Sequence, residues 1–209
     1  MTTAALVLYV LALVVLFGVR SAVQHRRTGS TGFKGISGTP AEPEWWGGVL
    51  FVVAMVAGLA GPLMAVLGVT PIDPPAALQA AGLVVALAGF AATLAAQTGM
   101  GASWRIGVDS TERTELVTSG PLFGAVRNPI FTAMVTAQAG NVLMVPTWVT
   151  VAALTALVAA VQLQVRSAEE PHLLRVHGAA YADYAARTGR FVPGIGRLTR
   201  AAAGERAPA

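Results

Sequence analysis

Cysteine is absent from the 209 residues and charge is scarce: 11% of the side chains are Asp, Glu, Lys or Arg, against about a quarter in an ordinary soluble domain. The first absence excludes disulfide scaffolds, cysteine nucleophiles, thiolate metal sites and iron–sulfur clusters. The second, beside 55% hydrophobic residues and a mean hydropathy of +0.64, excludes a water-soluble globule. The charge that remains sums to +4, with a pI near 10.3, and its placement decides whether it points to nucleic acid.

Charge is missing in blocks: residues 1–19, 45–72, 74–104 and 128–165 carry none. A hydrocarbon core of about 30 Å takes roughly 20 helical residues. The first three blocks supply one crossing each, near 3–20, 46–68 and 76–97. The fourth makes a helix of about 57 Å, so it is expected to fold back between Asn141 and Trp148, around Pro146. The expected fold class is all-α: a polytopic membrane protein with five transmembrane helices, the last two a helical hairpin, and a cytosolic C-terminal helical segment.

Basic residues Arg20, Arg26 and Arg27 follow the first apolar block instead of preceding it. That order reads as an anchor with a translocated N-terminus and not as a signal peptide. With the N-terminus outside, all 14 Lys and Arg fall in the inside segments 20–45, 98–128 and 166–209, while the outer loop carries only Asp73. The basic pI is therefore a topology signal, with some attraction to anionic membrane lipid, and nucleic acid is not an expected partner. The chain divides into residues 1–97, three N-terminal transmembrane helices with a basic cytosolic linker at 20–45; 98–200, a core of cytosolic loop, helical hairpin 129–165 and C-terminal segment; and a flexible tail at 201–209. The linker is glycine-rich between Thr28 and Pro43 and reads as flexible.

Two inside segments carry the chemistry. In the first, Leu116-Val117-Thr118-Ser119-Gly120-Pro121-Leu122-Phe123 is followed by Val126-Arg127-Asn128-Pro129-Ile130-Phe131. Gly-Pro is a turn and Asn-Pro a second break. Pro129 suits the first turn of a helix, whose exposed N–H groups meet a polar ligand at the membrane surface. The plain alternative is a helix entry with Arg127 snorkelling to lipid phosphate.

The second segment runs Arg166-Ser167-Ala168-Glu169-Glu170-Pro171-His172-Leu173-Leu174, then Gly178-Ala179-Ala180-Tyr181-Ala182-Asp183-Tyr184, then Arg190-Phe191-Val192-Pro193. Adjacent carboxylates at the C-terminal end of an apolar helix oppose its dipole and call for positive charge. Arg166, one turn before Glu170, supplies part of it, and a cationic ligand would supply the rest. The plain alternative is a solvated bend at Pro171 with interfacial tyrosines.

In this order the elements Leu-Val-Thr-x-Gly-Pro, Arg-Asn-Pro-x-Phe, a hydrophobic hairpin, Glu-Glu-x-x-Leu, Gly-x-x-Tyr-x-x-Tyr and Arg-Phe-x-Pro resemble the isoprenylcysteine carboxyl methyltransferase family of integral membrane methyltransferases. More distantly they are similar to phospholipid N-methyltransferases. The resemblance covers roughly residues 97–193, including Trp104 and Arg105. It implies methyl transfer from S-adenosyl-L-methionine, with S-adenosylhomocysteine as product, to a lipophilic small molecule or lipid entering from the bilayer at the cytosolic face; no metal is required. Carried over residue by residue, Leu116 and Val117 help line the adenosine pocket, either Phe123 or its neighbour Leu122 faces the cofactor, and Asn128, Pro129 and Phe131 hold cofactor at the helix start. Glu170 takes the methionyl ammonium, with Glu169 as the fallback one residue away. Electron-rich faces of Phe131 and Tyr181 suit the sulfonium, and Arg127 or the N–H groups near Pro129 suit the cofactor carboxylate.

The catalytic candidates are Arg166 and Arg190, to fix a carboxylate nucleophile, and Glu169, His172 or His177, to take a proton from an amine or hydroxyl. Asn128 stands where the family has His, Leu122 where it has an aromatic, and Phe131 where it has Tyr, so the resemblance does not carry a prenylated-cysteine substrate. Two other readings remain open: an NADPH-dependent membrane sterol-type reductase, and a non-catalytic membrane protein. Against the second, no charged residue lies at the middle of an expected span, and helix–helix hydrogen bonding accounts for the main polar residues there, Gln97, Gln138, Gln162 and Gln164.

Overall fold

A computed structural model describes residues 1–70, 74–105 and 115–198. Asp73, Arg113 and the tail 201–209 lie outside the described residues. Among those described, every regular element is helical: α1 Thr2–Leu13, α2 Arg20–Thr28, α3 Pro43–Val66, α4 Ala76–Gly99, α5 Pro129–Met144, α6 Trp148–Leu163 and α7 Glu170–Arg187. A π-helical turn at Val14–Val19 joins α1 to α2, and another at Gln164–Glu169 joins α6 to α7. Four helices are long and apolar enough to span a membrane: Thr2–Thr28, Pro43–Val66, Ala76–Gly99 and Trp148–Arg187. α5, with 16 residues and a length of about 24 Å, falls short of that measure. The chain reverses between α5 and α6 through Val145, Pro146 and Thr147, and a reciprocal Thr147–Thr150 capping box opens α6.

Small residues set the packing. Gly82, Ala86 and Gly89 on α4 face Ala133, Ala137 and Gly140 on antiparallel α5, so close that a Cβ on Gly89 or Gly140 would collide with the opposing backbone. In lipid, where no hydrophobic force drives helices together, such close van der Waals contact holds them. Gly89→Leu is therefore expected to destabilise the folded protein by about 1–3 kcal/mol, read as a lowered thermal midpoint in detergent.

Buried side chains repair breaks in the helical ladders. Pro62 lies inside α3 and has no N–H for the carbonyl of Gly58, one turn back; Asn141 Nδ2 on α5 donates to that carbonyl at 3.1 Å. The carbonyl of Leu16, in the first π turn, accepts from Gln97 Nε2 at 3.1 Å. Pro171 likewise follows the second π turn, consistent with its missing donor widening the ladder just before it. Instead of a solvated bend at Pro171, the helix runs on to Gly178, where φ 50° and ψ −123° break it.

The linker after α2 is not a loose tether. Gly29, Gly32, Gly35 and Gly38 all adopt positive φ, and this lets the segment fold back so that Gly32 lies against Trp104 and Ile36 against Gly48 of α3.

Candidate functional site

The Gly-Pro segment and the stretch after α7 are tied together by backbone. Arg127 N donates to the Gly189 carbonyl at 2.8 Å and Asn128 N to that of Arg190 at 3.1 Å. Asn128 Nδ2 also donates to the Arg190 carbonyl, at 3.1 Å, and Thr132 Oγ1 to that of Phe191, at 2.8 Å. Tyr184 OH donates to the Phe123 carbonyl at 2.6 Å. The start of α5 is thus paired along one edge with residues 189–191.

Arg127 stands at the centre of this junction, 7% exposed. Its Nη1 donates to the carbonyls of Ala185 (3.0 Å) and Thr188 (2.5 Å). Its Nη2 donates to the Gly196 carbonyl at 3.1 Å and to Glu170 Oε1 at 2.6 Å. Arg190 approaches the same carboxylate with its fork, Nε to Oε1 at 2.7 Å and Nη2 to Oε2 at 2.8 Å. Glu170 is fully buried between them. Its hydrogen bonds hold the Arg190 guanidinium above its ordinary value, against the opposing effect of burial.

Beside this cluster lies a cavity of about 230 Å³. Leu116, Val117, Phe123, Arg127, Asn128, Pro129, Phe131, Glu169 and Tyr181 all line it. Four sequence candidates do not: Glu170, Arg190, Arg166 and His177. Glu170 is turned away, its carboxylate occupied by two arginines, so the compensating charge is Arg127 and Arg190, and no cationic ligand is needed there. Arg190 is held on Glu170 and positions that carboxylate; it does not face the cavity. Arg166 is exposed and donates to Gln162 Oε1, one turn back, at 2.9 Å, away from both the acids and the cavity. Of the two histidines, His172 is buried and lines the cavity, and His177 does not. Arg127 lines it with Nη1 and Nη2 already bonded, leaving its Nε, which has no hydrogen-bond partner.

The sequence did not announce the other walls. Phe17 and Phe51 come from spans read as topology alone, and Ile36 from the linker. Gln97 brings Oε1, a buried acceptor without a hydrogen-bond partner. Arg105 lies within electrostatic reach of Glu169. Arg20, read from the sequence only as a topology signal, is the largest surprise: it is 5% exposed, inside the long N-terminal helix. Its Nη2 donates to the carbonyls of Gln97 (3.2 Å) and Gly101 (2.8 Å) and its Nη1 to Gln24 Oε1 (3.2 Å). Its guanidinium covers the Trp104 ring at 4.6 Å, and Gln24 Nε2 holds the Ala102 carbonyl at 2.7 Å. The N-terminal helix thereby clamps the turn that places Met100, Trp104 and Arg105 on the cavity wall. Arg20→Met is expected to cost about 1–3 kcal/mol, and lysine, lacking the fork, recovers only part of it; thermal unfolding of the two variants checks this.

A family model described as phospholipid methyltransferase matches residues 77–180. No curated protein and no solved structure matches the chain. The matched stretch runs from α4 into α7 and so holds Arg127, Glu170 and most of the cavity wall, and with its apolar helices this chain belongs to the phospholipid methyltransferase family of integral membrane methyltransferases.

Proposed function

We propose that the protein transfers a methyl group from S-adenosyl-L-methionine to a lipophilic, membrane-associated substrate within the Glu169 cavity. The observation that carries this reading is the cavity's polar and aromatic set: two acidic residues, Glu115 and Glu169, the latter at the helix turn beside Glu170, with the aromatic faces of Phe123, Phe131 and Tyr181, at the N-terminal end of α5. That set fits a ligand bearing an ammonium, a sulfonium and a carboxylate. Glu169 receives the ammonium, and the aromatic faces receive the sulfonium. The N–H groups of Ile130 and Phe131, first-turn donors that no intrahelical carbonyl reaches, meet the carboxylate. When bound, the cofactor supplies a methyl already activated on sulfur for in-line displacement.

The chain's own residues then position and shield. Phe17, Phe51 and Trp104 close the cavity against water, which strengthens each electrostatic contact inside. His172 is placed to take a proton from an amine or hydroxyl nucleophile; Arg166 and Arg190 have no part in holding one. Val52 lines the cavity and is 52% exposed on the apolar surface of α3, which supports entry of substrate from the lipid side. Successive helices alternate in direction, with α3 antiparallel to α1 and α5 antiparallel to α4, which supports five crossings with α5 as one of them despite its length. The positive-inside bias, with Arg105 and Arg127 on the cavity wall, supports a cytosolic site with the N-terminus outside.

Titration of the purified protein with S-adenosylhomocysteine tests the reading. Saturable binding is expected; no saturation at millimolar ligand would remove the proposal.

A further inference from the structure

A second cavity, of about 60 Å³, lies deeper among α1, α3, α4, α5 and α6 and shares two wall residues, Phe17 and Met134, with the Glu169 cavity. Most of its lining is aliphatic or aromatic, with four polar side chains: Tyr9, Thr93, Gln138 and Asn141. Each of the four gives one hydrogen to a backbone carbonyl. Tyr9 OH donates to Met55 (3.2 Å), Thr93 Oγ1 to Gly89 (2.8 Å), Gln138 Nε2 to Thr150 (3.4 Å) and Asn141 Nδ2 to Gly58 (3.1 Å). What remains is one N–H on each amide and the oxygen lone pairs of all four. One of them, Gln138 Oε1, is buried with no hydrogen-bond partner, on a residue 3% exposed. An unmet acceptor in a hydrocarbon setting costs free energy that a donor would recover.

We propose that this cavity binds the far end of a lipophilic substrate whose aliphatic chain carries a hydroxyl, and that the hydroxyl donates to Gln138 Oε1. The inference rests on the reading of the Glu169 cavity as the methyl-transfer site and adds the class of substrate. The depth is consistent: Gln138 lies seven residues beyond Phe131 on α5, about 10 Å along the helix, and Phe17 and Met134 border both spaces. The apolar wall accepts the chain, and the unmet Gln138 Oε1 favours a hydroxyl over an ether oxygen, which would leave that acceptor without a partner.

The test uses full-length protein in lipid nanodiscs and two probes of equal chain length, 1-dodecanol and 1-methoxydodecane, read as the shift in unfolding midpoint against probe concentration. The alcohol is expected to bind at least about five-fold more tightly than the ether, the worth of one net hydrogen bond. In Gln138→Leu that preference is expected to vanish while S-adenosylhomocysteine binding is unchanged. Gln138→Met gives the same comparison where the leucine variant is not recovered folded. Equal response to both probes, or a preference that survives loss of Gln138, overturns the proposal and leaves water as the acceptor's partner. Alcohol preference without S-adenosylhomocysteine binding would instead sink the methyl-transfer reading and keep the hydroxyl site.

Discussion

Glu170→Ala is expected to lower the stability of the folded chain by about 3–5 kcal/mol, the cost of leaving a buried ion pair with one side missing. Two guanidinium groups converge on this carboxylate, Arg127 at 2.6 Å and Arg190 at 2.7 Å. Without it they sit side by side, buried and uncompensated. The damage would spread, because Arg127 also holds the carbonyls of Ala185, Thr188 and Gly196; as it moves, the last turn of α7 and the segment after it lose their tie to α5. The result is a large drop in thermal midpoint with early loss of protection at residues 185–198, readable by hydrogen exchange. A value held high in the folded state contributes stability below the unfolded value and loses it as pH climbs past the folded one. For the Arg190 guanidinium both lie far into alkali, so its half of the pair is expected to show no pH dependence near neutrality. Glu170→Gln keeps the shape and removes the charge, and should reproduce most of the loss.

Much of this was legible in the sequence. Charge-free blocks mark the four long helices, because a charge in hydrocarbon is costly enough to be kept out. Proline positions were informative for a like reason: Pro129 begins α5 and Pro146 sits in the reversal after it. The order of motifs around the hairpin pointed to the segments that meet at Arg127. Two features were hidden. A lone Arg at the end of an apolar block looks the same whether it reaches lipid phosphate or, like Arg20, turns inward to carbonyls some 80 positions away in sequence. The facing of Glu169 and Glu170 was hidden as well. Neighbours on a helix point about 100° apart, so one of the pair faces the cavity and the other its wall. A π turn at Gln164–Glu169 shifts that register in a way no apolar periodicity records.

Glu169→Gln is expected to separate the two acids. Its carboxylate is the one on the cavity wall, and no helix or loop depends on it as the junction depends on Glu170. Removing its charge should therefore leave the thermal midpoint within about a degree or two of wild type, the range of a substitution away from packed cores and buried pairs. S-adenosylhomocysteine carries the ammonium this carboxylate is assigned to hold. A hydrogen bond to a charged group is worth about 1.5–3 kcal/mol, so affinity should fall about 10- to 100-fold, measured by calorimetric titration. Arg166→Ala, outside the cavity, should change it less than about two-fold, consistent with a solvent-facing cation. Decapping the ammonium offers an independent readout: a cofactor analogue lacking the amino group should bind wild type and Glu169→Gln with nearly equal affinity. If the variant binds S-adenosylhomocysteine as tightly as wild type, the ammonium is held elsewhere, and Glu169 belongs with the substrate's proton and not with the cofactor.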